Sequence, residues 1–468
     1  MLRPPLGTAA RIWCTRVAVS TGSPAACLAL GARGMASAAP PVLLDLAKGH
    51  PDSKLLPRDA IAKACAQAAT NFGDGSVAGL PYGSGPRGSV SFLAELAAFL
   101  GRQCPTEVPA RTDGLLLTNG VSHGLELACG VFAQPGEAVL VEAPTYWLAL
   151  GIFKSRGLEV VPVPTDAEGL LVEQAEAILR ERPEGSPRVR FIYTVPSNHN
   201  PTGSSLPAER RRALVELARR WGILILADEV YHLLDWHAPG CRPPRMACFD
   251  ESYSPVTDPR SSNADIDEDD DPVYSQPTDP GQGPRCLDGD QARLPEPVVI
   301  SVSSFTKIMA PGLRVGWIEA APPLIDRLAA TGYLRSGGCV ASFTADAIVG
   351  HVLKSHNADV VLASLVAEYR SRAERLTAAL EGAGLAPLVR PHGGYFVWVR
   401  LGADSKEVLE LAKAKHQVTF LPGTSYDTSA CPELAECARL CFAWLPPEEL
   451  EDGVRRLARA VAEVVERT

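Results

Sequence analysis

The sequence predicts an α/β fold built on a mostly parallel sheet, and three features support this prediction. From Leu115 onward, short apolar runs typical of strands alternate with stretches typical of helices. Residues Ile223–Ala227 form a continuous apolar run, as expected of a parallel strand that is buried on both faces. Beyond Pro323, mixed strands and long helices predict a second, smaller α/β domain. A chain of 468 residues is long enough for such an arrangement.

The predicted elements can be placed along the chain from their apolar patterns. Strands are predicted at about 115–118, 138–142, 160–163, 189–195, 223–227, 298–302 and 315–320, with helices at 90–102, 121–132, 173–182 and 206–221. The C-terminal part is predicted to form helices at 323–331, 344–354, 360–381 and 448–467 and strands at 393–399, 418–421 and 438–443.

Composition excludes several classes of protein. The chain is 46% hydrophobic and 21% charged, which is typical of a soluble globular protein. No apolar run approaches the ~20 residues of a membrane-spanning helix, and a formal charge of −9 gives no reason to expect nucleic acid or a membrane surface as a partner. The 12 cysteines contain no C-x-x-C pair, so we predict neither a metal site nor a disulfide framework.

Two segments differ from the rest in composition. Residues 1–41 contain four arginines but no lysine and no acid, which predicts a transit peptide for the mitochondrial matrix, with a plastid or cytoplasmic location and a merely disordered extension as alternatives. Residues 238–296 are rich in proline, glycine, serine and aspartate, and six of the seven residues 265–271 are acidic. We therefore expect a disordered surface insertion there.

The segment Val298–Trp317 carries the most specific chemistry. Its apolar strand ends in Ser303 and Ser304, and Lys307 follows. Because burial disfavours the charged form of an amine, a lysine placed there can react with an aldehyde. The hydroxyls and the Arg314 guanidinium suit a phosphate dianion. An aldehyde and a phosphate in one molecule indicate pyridoxal 5′-phosphate, although an ordinary solvated lysine is the alternative.

Polar or aromatic side chains follow the other predicted strands as well. Ser122 lies in a loop that opens a helix, where free backbone N–H groups suit a phosphate. Tyr146 could stack on a flat ring or pack in the core, and Asn200 could point into a cleft or form an ordinary N-P turn. Asp228 needs a positive partner, either a pyridinium N–H or a structural salt bridge. Because the carboxyl ends of parallel strands meet at one edge, these residues and Lys307 can face one another.

These motifs together make the chain resemble the class I/II aminotransferases over residues 42–468. The matching segments are Tyr82, Gly120–Ser122, Pro144–Tyr146, Asn200–Gly203, Asp228–Tyr231, Ser304–Lys307, Pro311–Arg314 and Arg439–Phe442. The amino-acid sequence of the Lys307 segment most resembles that of the kynurenine/2-aminoadipate aminotransferase branch. The resemblance implies a fold-type I pyridoxal-phosphate-dependent transferase with a seven-stranded, mostly parallel sheet in a large domain (75–322) and a small α/β domain (42–74 and 323–468).

The resemblance also implies a role for each residue of the site. Lys307 would hold the cofactor as a Schiff base and carry the proton, Asp228 would keep the pyridine nitrogen protonated, and Tyr231 would hydrogen-bond the ring oxygen together with Asn200. Tyr146 would stack on the ring. The phosphate would be held by Ser304, Arg314, Ser122, the N–H of Val121 and Tyr82 of a neighbouring subunit, which implies a homodimer. The substrate carboxylate would be bound by Arg439, Asn200 and the backbone at Gly49.

The expected activity is exchange of the amino group of an L-amino acid with a 2-oxo acid by a ping-pong route. The substrate is expected to be of the 2-aminoadipate, aromatic or branched/aliphatic type. We find no convincing second arginine for a dicarboxylate side chain, so aspartate specificity is not supported. One alternative is a same-fold carbon–sulfur lyase or aminocyclopropane-carboxylate synthase. A non-catalytic binding protein is a further alternative, but the intact set of Lys307, Asp228 and Arg439 disfavours it.

Overall fold

Alternating apolar strands and helices build a central sheet in the computed structural model. The structure describes residues 42–73, 80, 85–238, 240–253, 296–338, 340–426, 428 and 431–467. Three predictions therefore lie outside the described residues: the transit peptide, Tyr82 and the acidic run 265–271. Residues 42–468 form one compact unit.

The strands agree closely with the predicted ones. They are β1 (Leu44–Asp45), β2 (Leu115–Thr118), β3 (Ala138–Ala143), β4 (Glu159–Asp166), β5 (Gly169–Leu170), β6 (Val189–Thr194), β7 (Leu224–Asp228), β8 (Val299–Ser304), β9 (Gly316–Ala320), β10 (Phe396–Arg400), β11 (Val418–Thr419), β12 (Leu421–Pro422) and β13 (Cys437–Cys441). Every predicted strand is present to within a few residues. Asp228 and Ser304 are the last residues of their strands, whereas we expected them just beyond.

The large sheet has the order β2-β9-β8-β7-β6-β3-β4-β5. Strands β4, β3, β6, β7 and β8 pair in parallel, whereas β9 runs antiparallel to both β8 and β2. The eighth strand, β5, is a two-residue antiparallel addition at the edge. The prediction of a mostly parallel sheet is confirmed, with seven predicted strands and one short extra strand.

Helices cover the sheet and complete the fold. They are α1 (Arg58–Gly73), α2 (Val90–Gln103), α3 (Val121–Phe132), α4 (Trp147–Ser155), α5 (Val172–Glu181), α6 (Ala208–Trp221), α7 (Pro322–Ala329), α8 (Gly332–Arg335), α9 (His351–Lys354), α10 (Asn357–Gly382), α11 (Ser405–Leu411) and α12 (Pro447–Val465). In α6 the buried side chains include Leu214 and Leu217, and the helix ends where Gly222 adopts the left-handed conformation. None of the described helices has both the length and the apolar character that crossing a membrane requires.

Four helices, α1, α4, α8 and α11, were not predicted, and one differs from its prediction. In α1 alanines dominate and no pronounced apolar face develops, whereas α4 is apolar almost all round. Neither sequence therefore shows the helical period clearly. The helix predicted at 344–354 begins as a π-helix over Phe343–Gly350 and continues as α9.

A second sheet lies in the C-terminal part of the chain. Strands β10, β13 and β12 form an antiparallel sheet in that order, in which Arg439 of β13 lies opposite Trp398 and Leu421. Strand β1, near the N-terminal end of the described chain, pairs in parallel with β11. This pairing agrees with the proposed assignment of residues 42–74 to the small domain, which stays a prediction.

The segment 240–253, which we assigned to the insertion, is packed against the large sheet. Its residues Met246 and Tyr253 are buried, and the Asp250 carboxylate accepts hydrogen bonds from the N–H groups of Val298 (2.8 Å) and Val299 (3.0 Å). The buried Arg245 guanidinium pairs with Glu107 and Glu319. The predicted start at 238 is therefore wrong, and any insertion begins after Tyr253. Because this segment is rich in proline, its buried residues were not recognised from the sequence.

We expect Arg245→Ala to destabilise the protein by about 3–5 kcal/mol, because it removes the cation that pairs with buried Glu319 and one of the two guanidinium groups that pair with buried Glu107. The free energy of unfolding in urea measures this effect. The control Arg111→Ala breaks a partly exposed pair with Asp113 and should cost less than about 1 kcal/mol. Equal small losses in both variants would mean that segment 240–253 does not stabilise the sheet.

Candidate active site

A cleft of about 440 Å³ lies at the carboxyl edge of the large sheet. Strands β2, β3, β6, β7 and β8 run in the same direction, so the segments that follow them meet there. All predicted site residues that the structure describes line this one cleft: Gly49, Val121, Ser122, Tyr146, Asn200, Asp228, Tyr231, Ser304, Lys307, Arg314 and Arg439. The predicted convergence of these residues is thus found, whereas their individual roles stay predictions.

Lys307 lies in the middle of the cleft. Its Nζ donates a hydrogen bond to the carbonyl oxygen of Gly49 (3.0 Å) and lies 5.2 Å from the centroid of the Tyr395 ring. The hydroxyl of Tyr395 donates to the main-chain carbonyl of Lys307 (2.9 Å). Burial lowers the pKa of Lys307 from 10.5 to about 8. An appreciable fraction of the amine is therefore neutral, and nucleophilic, near neutral pH.

Asp228 is a buried carboxylate, 3% exposed, without a cationic partner among the described residues. Its Oδ2 accepts a hydrogen bond from the Tyr193 hydroxyl (3.1 Å) and its Oδ1 from the N–H of Val230 (3.4 Å). Burial raises the pKa of Asp228 to about 6, although the Tyr193 bond opposes this rise. Sequence reasoning missed Tyr193, because an aromatic residue within a strand is usually only core.

One end of the cleft suits a phosphate dianion. Helix α3 begins there with Gly120 as its N-cap, at φ 86°, and the Ser122 side chain is exposed. The exposed Arg314 guanidinium donates to the carbonyl oxygens of Asn119 (3.1 Å) and Pro311 (3.2 Å). A Cβ atom on Gly120 would lie 2.7 Å from Arg314 Nη2, so a side chain there would displace the guanidinium, and the positive φ itself favours glycine. Free N–H groups at a helix N-terminus and a guanidinium together attract an anion.

The hydroxyl groups of Ser304 and Thr306 differ in availability. Ser304 is buried, and its Oγ bonds the carbonyl of Val315 (3.0 Å) and the N–H of Thr306 (3.0 Å). Thr306 is only half-buried, and its Oγ1 lies 3.5 Å from Nη1 of Arg314. Thr306 is therefore better placed to meet a phosphate, and sequence reasoning missed it although it directly precedes Lys307. The phosphate role of Ser304 stays a prediction.

Arg439 marks the opposite end of the cleft. It is buried, its Nη1 donates to Oδ1 of Asn200 (3.1 Å), and its Nη2 donates to the carbonyl of Ala47. The guanidinium lies 4.0 Å from the centroid of the Phe396 ring. Its Nε has no partner, and no carboxylate among the described residues pairs with it. A buried guanidinium in this state is suited to bind the carboxylate of a ligand.

The backbone at Gly49 lies between these groups. Besides accepting from Lys307, Gly49 has no room for a side chain, because a Cβ atom would lie 2.9 Å from the Phe396 ring and 3.6 Å from Nη2 of Arg439. The Phe396 ring therefore packs directly against the backbone at this position, which favours glycine.

Two tyrosines contribute hydroxyl groups to the cleft. Tyr231 packs against the rings of Tyr395 (5.4 Å) and Phe396 (5.9 Å), and Tyr146 is the N-cap of α4. Burial raises the pKa of Tyr231 well above 10 and that of Tyr146 to about 12. Both hydroxyls therefore stay protonated at neutral pH and can donate hydrogen bonds.

Comparison with known families shows which family the chain belongs to. Residues 42–254 and 273–457 match the family model described as aminotransferase class I and II. The chain belongs to this family. The predictions of an aminotransferase, of fold-type I architecture and of pyridoxal phosphate as cofactor are confirmed. The acidic run 265–271 falls in the gap between the two matched segments.

Named relatives cover most of the chain. An aromatic-amino-acid aminotransferase of Thermococcus litoralis is 28% identical and covers 76% of this chain and 74% of its own length. A mitochondrial kynurenine/alpha-aminoadipate aminotransferase of Bos taurus is 28% identical and covers 80% of each chain. The crystal structure of a multiple substrate aminotransferase from Thermococcus profundus is 27% identical, with a TM-score of 0.72, and covers 91% of this chain and 93% of that chain. The predicted likeness to the kynurenine/2-aminoadipate branch is confirmed.

We expect Asp228→Asn to stabilise the cofactor-free aminotransferase at pH 8 by about 2–3 kcal/mol. The folded protein holds the Asp228 proton up to pH about 6, whereas the unfolded chain releases it near pH 4. The stability that this group contributes is therefore lost as pH rises from about 4 through 6. Thermal unfolding of the two proteins between pH 4 and 8 measures the growing difference.

The control for this prediction is Asp250→Asn. The Asp250 carboxylate is also buried, but it accepts from Val298, Val299 and Arg219 and should stabilise as an anion. Asp250→Asn should therefore lower the stability at pH 8. If Asp228→Asn were also less stable than the wild type at pH 8, the claim that Asp228 carries an uncompensated buried charge would be contradicted.

Proposed function

We propose that this aminotransferase binds pyridoxal phosphate in the cleft described above and transfers the amino group of an L-amino acid to a 2-oxo acid there. The observation that carries the proposal is the meeting of three groups in one cleft. These are a lysine of lowered pKa (Lys307), a buried carboxylate without a cation (Asp228) and a buried guanidinium without a carboxylate (Arg439). Each lacks the partner that the cofactor or the substrate would supply.

The residues of the cleft fit the cofactor at both of its ends. The phosphate would be held by Arg314, Ser122, Thr306, Ser304 and the N–H groups that open α3, and the pyridine nitrogen would meet Asp228. When bound, pyridoxal phosphate supplies the carbonyl that accepts the amino group and a ring that withdraws electrons from the substrate α-carbon.

The protein groups then have distinct tasks. Asp228, as a buried anion, would keep a proton on the ring nitrogen. Tyr231 and Asn200 would donate hydrogen bonds to the ring oxygen, and the Tyr146 ring would cover one face. The neutral amine of Lys307 would take the proton from the substrate α-carbon and deliver it to C4′ of the cofactor. Arg439 would hold the α-carboxylate as a bidentate pair.

The outer wall of the cleft supports acceptance of more than one substrate class. Trp147, Leu148, Ile152 and Leu421 provide apolar surface, and Lys48 and His50 bring positive charge or a polar ring. Nζ of Lys48 lies 3.4 Å from the centroid of the Trp444 ring and pairs with no carboxylate among the described residues. An aromatic side chain suits the first set, and a distal carboxylate such as that of 2-aminoadipate suits Lys48. The names of the Thermococcus and bovine relatives cover both classes.

A homodimer with shared active sites remains part of the proposal. It is supported by the resemblance at Tyr82 and by the exposed Trp147 (46%) and Leu148 (45%) at the mouth of the cleft. Large apolar side chains in such a position are typical of a contact surface. Sedimentation analysis should show a dimer, and a monomer at micromolar concentration would contradict the proposal.

We also propose import into the mitochondrial matrix. The arginine-containing, acid-free composition of residues 1–41 supports it, and the bovine relative is named as mitochondrial. A fluorescent protein fused to residues 1–41 should enter mitochondria. Retention in the cytoplasm, or import into a plastid, would contradict this location.

Half-reactions test the activity most cleanly. We expect each accepted L-amino acid, added to the cofactor-loaded enzyme, to abolish the visible band of the bound cofactor and to release one 2-oxo acid per site. Addition of 2-oxoglutarate should restore the band. L-2-aminoadipate, L-kynurenine and L-phenylalanine are the substrates to compare, with L-aspartate and D-2-aminoadipate as controls. Continuous turnover that releases ammonia or a leaving group when no 2-oxo acid acceptor has been added would contradict transamination and support the lyase alternative.

A further inference from the structure

A buried acid–imidazole pair lies behind the substrate end of the cleft. Glu142, on β3, is 1% exposed, and its carboxylate accepts hydrogen bonds from the Thr194 hydroxyl (2.8 Å) and the N–H of Val195 (2.8 Å). Nε2 of His199, which is 2% exposed, lies 3.0 Å from Oε2 of the same carboxylate, a close contact that lacks the angles of a hydrogen bond in this structure. The Glu142 carboxylate thus already accepts two hydrogen bonds from Thr194 and Val195, so it does not depend on the imidazole for a hydrogen-bond donor.

The other ring nitrogen of His199, Nδ1, contacts the loop that follows β6. Nδ1 of His199 lies within hydrogen-bond distance of the Thr202 hydroxyl (2.9 Å), and that hydroxyl lies 2.8 Å from the hydroxyl of Ser204. The main chain of His199 makes two more bonds, from its N–H to Ser204 O (2.8 Å) and from Gly203 N–H to its carbonyl (2.7 Å). The ring therefore connects the rigid strand β3 to the tip of this loop.

Asn200, the next residue, carries this connection into the cleft. Its side chain is 4% exposed and accepts a hydrogen bond from Nη1 of Arg439. We propose that His199, supported by Glu142, is a positioning residue that fixes Asn200 and thereby the Arg439 guanidinium for the substrate α-carboxylate. This inference rests on the proposed function and adds a residue pair that touches neither cofactor nor substrate.

A second anchor of the loop makes the proposal testable without unfolding the protein. Nδ2 of Asn198 lies 3.3 Å from the Asp235 carboxylate and 3.5 Å from the carbonyls of Tyr231 and Leu234. Loss of the His199 ring therefore releases the tip of the loop while its start stays bound. Because a shift of a few tenths of an ångström is enough to misalign a hydrogen-bonded guanidinium, the effect should appear in carboxylate binding.

The test compares His199→Leu with His199→Gln and Thr194→Val in the cofactor-loaded enzyme. The probe is 3-phenylpropionate, a carboxylic acid without an amino group, whose binding is followed through the cofactor absorbance. His199→Leu should raise its dissociation constant about tenfold, the value expected when a hydrogen bond to a charged group is misaligned. His199→Gln should restore most of the affinity, because an amide can face both Glu142 and Thr202. The affinity for pyridoxal phosphate should fall less than that for the probe, since Asn200 would give the cofactor one hydrogen bond whereas the phosphate end and Lys307 are untouched.

Thr194→Val is the matched control, because it removes a bond to the same buried carboxylate but leaves the loop attached. It should lower the melting temperature and leave 3-phenylpropionate binding and KM unchanged. If His199→Leu binds the probe as tightly as the wild type, His199 has only a structural role and the proposal is wrong. A wild-type protein that binds pyridoxal phosphate but neither binds the probe nor transaminates would overturn the proposed function itself.

Discussion

The common direction of β2, β3, β6, β7 and β8 is the constraint on which the rest of the site depends. Parallel strands end at the same edge of a sheet, so segments far apart in sequence are delivered to one cleft. Lys307 and Asp228 are separated by 79 positions in the chain, yet their strands β8 and β7 are neighbours. The two strands pair in parallel although residues 229–298 separate them in the sequence.

The cleft combines charges that the protein alone does not balance. Within the part of the chain that the structure describes, Asp228 is buried without a cation and Arg439 without a carboxylate, and burial lowers the pKa of Lys307. Each arrangement costs stability, since buried charges are unfavourable unless they are paired. In the proposed function, a dianionic cofactor with a protonated ring and a carboxylate-bearing substrate would provide the missing partners. Binding and catalysis can therefore draw on interactions that folding leaves unmade.

The sequence predicts those parts of the structure that depend on local pattern. Strands such as β7 are uniformly apolar, and a lysine or aspartate at the end of such a run is conspicuous. Thr306 was missed in favour of Ser304, because only the structure shows that the Ser304 hydroxyl is already bonded to Val315. The roles of Tyr193 and His199 depend on contacts between strands β6, β7 and β3, which no local pattern reveals.

The central claim is that Lys307 is the residue to which pyridoxal phosphate becomes attached. Borohydride reduction of the loaded enzyme, followed by peptide mapping, measures this directly. We expect the cofactor mass on the peptide that contains Lys307, no label in Lys307→Ala, and normal labelling in Lys48→Ala, which removes the other lysine that lines the cleft. Label on Lys48, or undiminished labelling of Lys307→Ala, would contradict the assignment of the site.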